Sequence, residues 1–145
     1  MVRTFRVLSV AAAVAVAALF ATREVAAQPA PPLTEMYVCE VSSSARPAWE
    51  PIKPNSLSTP NDLHGGTWLK VKVFERGYAT GQVATFNGTP MKLYESEMLS
   101  GADRRVYGFY RYYYVQTRFT SGRFACSARS LNFPRNTISI GFNVR

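Results

Sequence analysis

The sequence predicts one small, sheet-dominated domain. Three observations carry that prediction. No stretch shows the 3.6-residue apolar repeat of a long helix. Several short runs alternate apolar with polar residues, or are dense in β-branched and aromatic side chains. Gly, Pro and Asn interrupt those runs at short intervals, where turns need them.

The elements follow in order. Arg3 and Arg6 precede an apolar run from Val7 to Ala21, and Val25-Ala26-Ala27 supplies small residues for a signal peptidase. Residues 1–27 therefore read as a signal peptide, and the protein as secreted. Residues 28–36 (QPAPPLTEM) form a Pro-rich lead, expected to be mobile. Residues 36–41 (MYVCEV) read as a first strand. Residues 42–63 hold four prolines and many Ser and Asn, and read as loop. Residues 69–74 (LKVKVF) alternate like a strand. Residues 82–86 and 91–99 are further strands, with Asn87-Gly88 as a tight turn between them. Residues 106–119 are one long strand or a hairpin, and 123–128 another strand. Residues 137–144 (TISIGFNV) are a last strand or a tail. Residues 37–128 are thus the expected domain, and 129–145 a C-terminal extension.

From Gln28 onward there are 118 residues, enough for one small core. Fourteen Lys and Arg stand against eight Asp and Glu, a net charge of +6. No acidic residue follows Asp103, whereas Arg104, Arg105, Arg111, Arg118, Arg123, Arg129, Arg135 and Arg145 do. Aromatic residues interleave with them from Tyr107 to Phe133. Arginine forks onto phosphate and aromatic rings stack on bases, so this half suits single-stranded RNA. A strand-rich sheet with a solubilising basic face would share that composition. Secretion makes a disulfide between Cys39 and Cys126 the default. It would close a loop of about 87 residues, stabilising by about 4 to 5 kcal/mol. One His and two Cys cannot furnish a tetrahedral N/S zinc set, and no metal or other cofactor is expected.

Catalytic patterns are sparse. There is no Gly-x-Ser-x-Gly elbow. The single histidine, His64, lies in a loop segment (NDLHGGT) and is expected at the surface. Glu95 and Glu97 fall on one face of one strand, whereas glycoside hydrolysis needs carboxylates on both sides of a bond.

One set of segments resembles a known family. GADRRVY (101–107), YESEML (94–99), YVC (37–39), GYAT (77–80) and VQTRFTSGRFAC (115–126) are similar, in order, to segments of fungal guanyl-specific extracellular ribonucleases. The resemblance spans about 90 of the 118 residues, with a shortened loop before GADR. It implies an α+β fold: a small microbial-ribonuclease-like domain with one helix packed on an antiparallel sheet. That helix would cover residues 67–76, where the local alternation indicates a strand.

In that family a Glu takes the ribose 2′-hydroxyl proton, a His protonates the leaving oxygen, and an Arg and a second His hold the phosphoryl group. The resemblance puts the base at Glu95 and the phosphate-binding Arg at Arg104. The two histidines fall on Thr80 and Arg118. Arginine stays protonated far above neutral pH and cannot act as the general acid. The resemblance therefore implies a protein that has lost catalysis, as in the ribonuclease-like secreted effectors of powdery mildew fungi. It further implies a virulence or avirulence role in plant immunity, with RNA bound by Arg104, Arg105, Arg118 and Tyr78. The expected partners are host RNA, ribonucleoprotein or an immune receptor. The protein is expected to be a monomer without a membrane partner, secreted and open to translocation into host cells. Two alternatives remain. One is an active guanyl-preferring ribonuclease using Glu95, Arg104 and His64. The other is a periplasmic lysozyme-inhibitor-like β-barrel, with Ser100-Gly101 and Tyr107 in its inhibitory loop.

Overall fold

A computed structural model describes residues 29–145; the expected signal peptide, residues 1–27, lies outside the described residues. Among the described residues the chain forms nine strands and no helix. They are β1 (Glu35–Ser43), β2 (Glu50–Pro51), β3 (Gly66–Arg76), β4 (Ala79–Phe86), β5 (Thr89–Pro90), β6 (Lys92–Ser100), β7 (Val106–Phe119), β8 (Gly122–Ser130) and β9 (Thr137–Val144). The pairings between these strands are all antiparallel. One sheet runs in the order β2-β1-β3-β7-β6, the other β5-β4-β8-β9. The fold is an all-β pair of sheets packed on a shared core.

This overturns the α+β expectation, and β3 shows why. Leu69, Val71 and Val73 are fully buried, while Trp68, Lys70 and Lys72 on the alternate positions are half-buried. A period of two places these sets on opposite faces of a strand, whereas a helix would scatter them. β3 pairs along its length with β1 and β7, so it is the centre of its sheet. The local alternation outweighs the helix that the resemblance implied.

The inner faces of both sheets supply the core. Val38 and Val41 of β1, Leu69, Val71 and Val73 of β3, and Tyr113 and Val115 of β7 meet Ala84, Phe86, Phe124, Cys126, Ala128, Phe142 and Val144. Phe86 and Phe119 pack edge to face with centroids 4.8 Å apart. Residues 137–144 are not a tail. β9 pairs with β8 from Gly122↔Val144 to Arg129↔Thr137, and buries Phe142 and Val144. The Pro-rich lead is also tied in. Leu33 is buried, its N–H bonds Ser130 Oγ, and Tyr78 N–H bonds the Pro31 carbonyl. Gly77 (φ +96°) permits this approach, since a Cβ there would stand 2.0 Å from the Pro32 oxygen. The expected Asn87-Gly88 turn is present, with both residues at positive φ, as a tight hairpin requires.

The expected disulfide does not form; both cysteines are free. Cys39 sits at a bulge in β1, beside Tyr37 and Lys72 on the sheet's outer face. Cys126 lies in the core, 3.8 Å from the Tyr113 hydroxyl. The sheet itself separates them. Secretion chemistry favours a disulfide only where the fold brings two thiols together.

Candidate ligand-binding face

The four positions matched to a ribonuclease site do not converge. Glu95 is exposed in mid-β6, opposite Tyr112. Arg104 lies in the β6–β7 turn at positive φ (61°), its N–H bonded to the Gly101 carbonyl. Arg118 is exposed near the far end of β7, whose next residue, Phe119, pairs with Gly66. At ~3.3 Å per residue, the length of β7 separates the two arginines by roughly 40 Å, with Glu95 about midway. Thr80 is exposed on β4 of the other sheet, opposite Arg129. No common concave face holds Glu95, Arg104 and Arg118.

His64 is not a surface residue. It is buried, with Nδ1 3.3 Å from Ser43 Oγ and Nε2 2.6 Å from Glu50 Oε2. Asn61 also donates to Glu50, and Arg46 stands 3.9 Å away. Burial raises the Glu50 carboxyl pKa. The hydrogen bonds from His64 and Asn61, with the nearby charge of Arg46, outweigh that and hold it below its ordinary range. Ser43, His64 and Glu50 resemble a nucleophile triad in sequence of contacts, but Ser43 is fully buried and meets no substrate. The trio ties the 44–65 loop to β1. Glu50 belongs to β2, at the opposite edge of the sheet from β6, about four strand spacings or ~19 Å from Glu95. A ribonuclease site of Glu95, Arg104 and His64 is therefore not assembled.

The other two positions matched to RNA binding do come together. Tyr78 and Arg105 line one groove of about 620 Å³ with Arg76, Tyr107 and the 29–32 prolines. Tyr78 packs edge to face on Phe109 at 5.1 Å, and Arg105 stands 3.6 Å from Asp103. This groove lies at the end of the sheets, beside Arg104 but away from Glu95 and Arg118.

The sequence reading missed a larger feature. The outer face of the five-stranded sheet carries Trp68, Lys70, Lys72 and Phe74 from β3 and Tyr110, Tyr112 and Tyr114 from β7. Lys92 and Tyr94 join them from β6. Alternation puts each set on one face. The Lys70 ammonium lies 5.5 Å from the centroids of both Trp68 and Tyr94; that of Lys72 lies 4.2 Å from Tyr110 and 5.4 Å from Tyr112. Trp68, Lys70, Lys92, Tyr94 and Tyr114 enclose a cradle of about 590 Å³ with no carboxylate in its lining. Neither Lys70 nor Lys92 makes an ion pair with a carboxylate among the described residues. Glu95 and Glu97 border it, and Glu97 accepts from the Tyr112 hydroxyl at 3.1 Å. Burial, followed by the charge of Glu95, pushes the Tyr94 hydroxyl pKa up, so the ring stays neutral. Lys72 bonds Glu40 at 3.0 Å, which outweighs the effect of burial and raises its pKa. The signal was present in the sequence as Trp-x-Lys-x-Lys-x-Phe and Tyr-x-Tyr-x-Tyr. It shows only once the two runs are known to be neighbouring strands.

Inside the sheets, buried Glu75 accepts from Arg111 Nε at 3.1 Å and from Gln82 at 3.4 Å. Its Oε1 has no hydrogen-bond partner among the described residues. Arg111, one of the eight late arginines, is thus spent inside the fold.

No curated protein matches the chain. A family model described as a domain of unknown function, DUF4879, matches residues 28–144, and the chain belongs to that family.

Proposed function

We propose that this protein is a non-catalytic, exported binding module that takes single-stranded RNA across β3, β7 and β6. The observation that carries the reading is the cradle of Trp68, Tyr94 and Tyr114 with Lys70 and Lys92. Three rings offer faces on which bases stack, and two ammonium groups offer countercharge to phosphates. Tyr112, Tyr110 and Lys72 continue the same pattern along β7 and β3. Host RNA is the part of the expected effector role that these residues fit. The ribonuclease-like fold on which the remainder rested is replaced by paired β-sheets, and that remainder forms no part of the proposal.

Fluorescence anisotropy of a labelled single-stranded RNA tests the reading. Affinity should fall steeply as salt rises, because bound phosphates release counterions. Tyr94→Ala and Lys70→Ala should each weaken it. An association that ignores salt and both substitutions would overturn the proposal. It would instead point to a neutral ligand, which the carboxylates Glu40, Glu95 and Glu97 near the same rings would tolerate.

A further inference from the structure

One end of the molecule combines exposed apolar side chains with a surplus of arginine. The β6–β7 connection (101–105) and the β8–β9 connection (131–136) project from the same end of the paired sheets. Three observations place them together. Arg76 at the end of β3 pairs with Gly108 near the start of β7. Ala79 at the start of β4 pairs with Ser130 at the end of β8. The Leu131 N–H bonds the Tyr78 carbonyl, while Gly77 N–H bonds that of Tyr107.

Phe133 is 87% exposed, the most exposed of the large apolar residues described; Leu131 is 48% and Tyr107 41% exposed. The backbone beneath Phe133 is closed by a bond from Ser130 N–H to the Asn136 carbonyl, so the ring is presented on a defined loop. The same end carries Arg76, Arg104, Arg105, Arg129 and Arg135, against two carboxylates, Glu35 and Asp103. Those two already bond Arg76 at 2.9 Å and Arg105 at 3.6 Å. Arg104, Arg129 and Arg135 make no ion pair among the described residues.

We propose that this end docks on an anionic lipid surface, with Phe133 and Leu131 entering the interface and the arginines meeting the headgroups. The chemistry favours that occupant. Apolar tips ringed by unpaired cations match a plane of anionic headgroups above an apolar phase. Phe133 pairs with no other aromatic ring among the described residues, unlike the rings of the cradle on β3, β7 and β6. Four of the eight late arginines, Arg104, Arg105, Arg129 and Arg135, belong to this end, and the cradle, whose cations are lysines, uses none of them. Docking of this end revises the expectation that the protein has no membrane partner.

Co-sedimentation with vesicles tests the proposal. The protein should bind vesicles of phosphatidylglycerol mixed with phosphatidylcholine, and bind phosphatidylcholine alone at least about tenfold less well. Phe133→Ser, and separately Arg129→Ala with Arg135→Ala, should each reduce binding about tenfold or more, with unchanged melting temperatures. Phe133→Trp should shift its emission to the blue on addition of the mixed vesicles. Equal binding to both vesicle types, undiminished binding by Phe133→Ser, or an unmoved Phe133→Trp spectrum would each overturn it.

Discussion

Nε2 of His64 stands 2.6 Å from Oε2 of Glu50, and both side chains are closed off from solvent. A buried carboxylate deprived of its partner is costly, on the order of 3 to 5 kcal/mol. His64→Ala should therefore destabilise strongly, read as a lower urea midpoint with an unchanged slope. Glu50 adds a pH dependence with a definite sign. Its folded-state pKa is depressed, so its stabilisation is present above the ordinary carboxylate range. It is lost as pH falls through the depressed folded value. Urea midpoints from neutral to acid pH should drop more for the wild type than for Glu50→Gln.

The cradle predicts how RNA affinity is distributed. Tyr94→Ala and Trp68→Ala should each cost about 1 to 3 kcal/mol, the usual worth of one stacked base. Arg104→Ala, in the turn before β7 and well away from the cradle, should change affinity little. Titrations of the four proteins against one single-stranded RNA would show it. Equal losses for Arg104→Ala and Tyr94→Ala would place the RNA elsewhere.

Glu95 predicts silence in a cleavage assay. It is exposed on β6 with neither Arg104, Arg118 nor His64 within reach. A guanyl-containing dinucleotide should stay intact with the wild type and with Glu95→Gln alike. Turnover by the wild type that disappears in Glu95→Gln would require a site that this arrangement does not form.

The thiols predict indifference to reductant. Burial pushes Cys39 up to about 11 and Cys126 up to about 12, the latter despite its bond to Tyr113. Both should react slowly with alkylating agents at neutral pH in the folded protein and rapidly once unfolded. Melting temperature should be the same with and without reductant. A drop on reduction would reveal a disulfide.

Gly77 predicts a local strain. It sits at φ +96° with the Pro32 oxygen 2.0 Å from where a Cβ would fall. Gly77→Ala should destabilise by more than the ~1 kcal/mol of an ordinary glycine substitution, and should loosen residues 29–34. Hydrogen exchange at Tyr78 N–H, which bonds the Pro31 carbonyl, is the local readout.

The sequence by itself determined most of the strands and the turn between β4 and β5, though β2 formed within a stretch read as loop. Side-chain alternation is a local property, and residues 69–74 or 106–119 carry it without help from their neighbours. It also determined the inventory of late arginines and aromatic rings. The tertiary structure decided which of them act together. Strand pairing is set by contacts distant in sequence, so Lys70 meets Tyr94 and Tyr112 meets Lys72 only after β3, β7 and β6 align. Motif order along the chain could not reveal that Arg104 and Arg118 stand at opposite ends of one strand. Nor could two cysteines show that a sheet lies between them. A loop histidine looked exposed because its partner, Glu50, lies fourteen residues away on β2. Local pattern fixes secondary structure through the geometry of one strand. A site is fixed by the long-range burial that brings several strands onto one face.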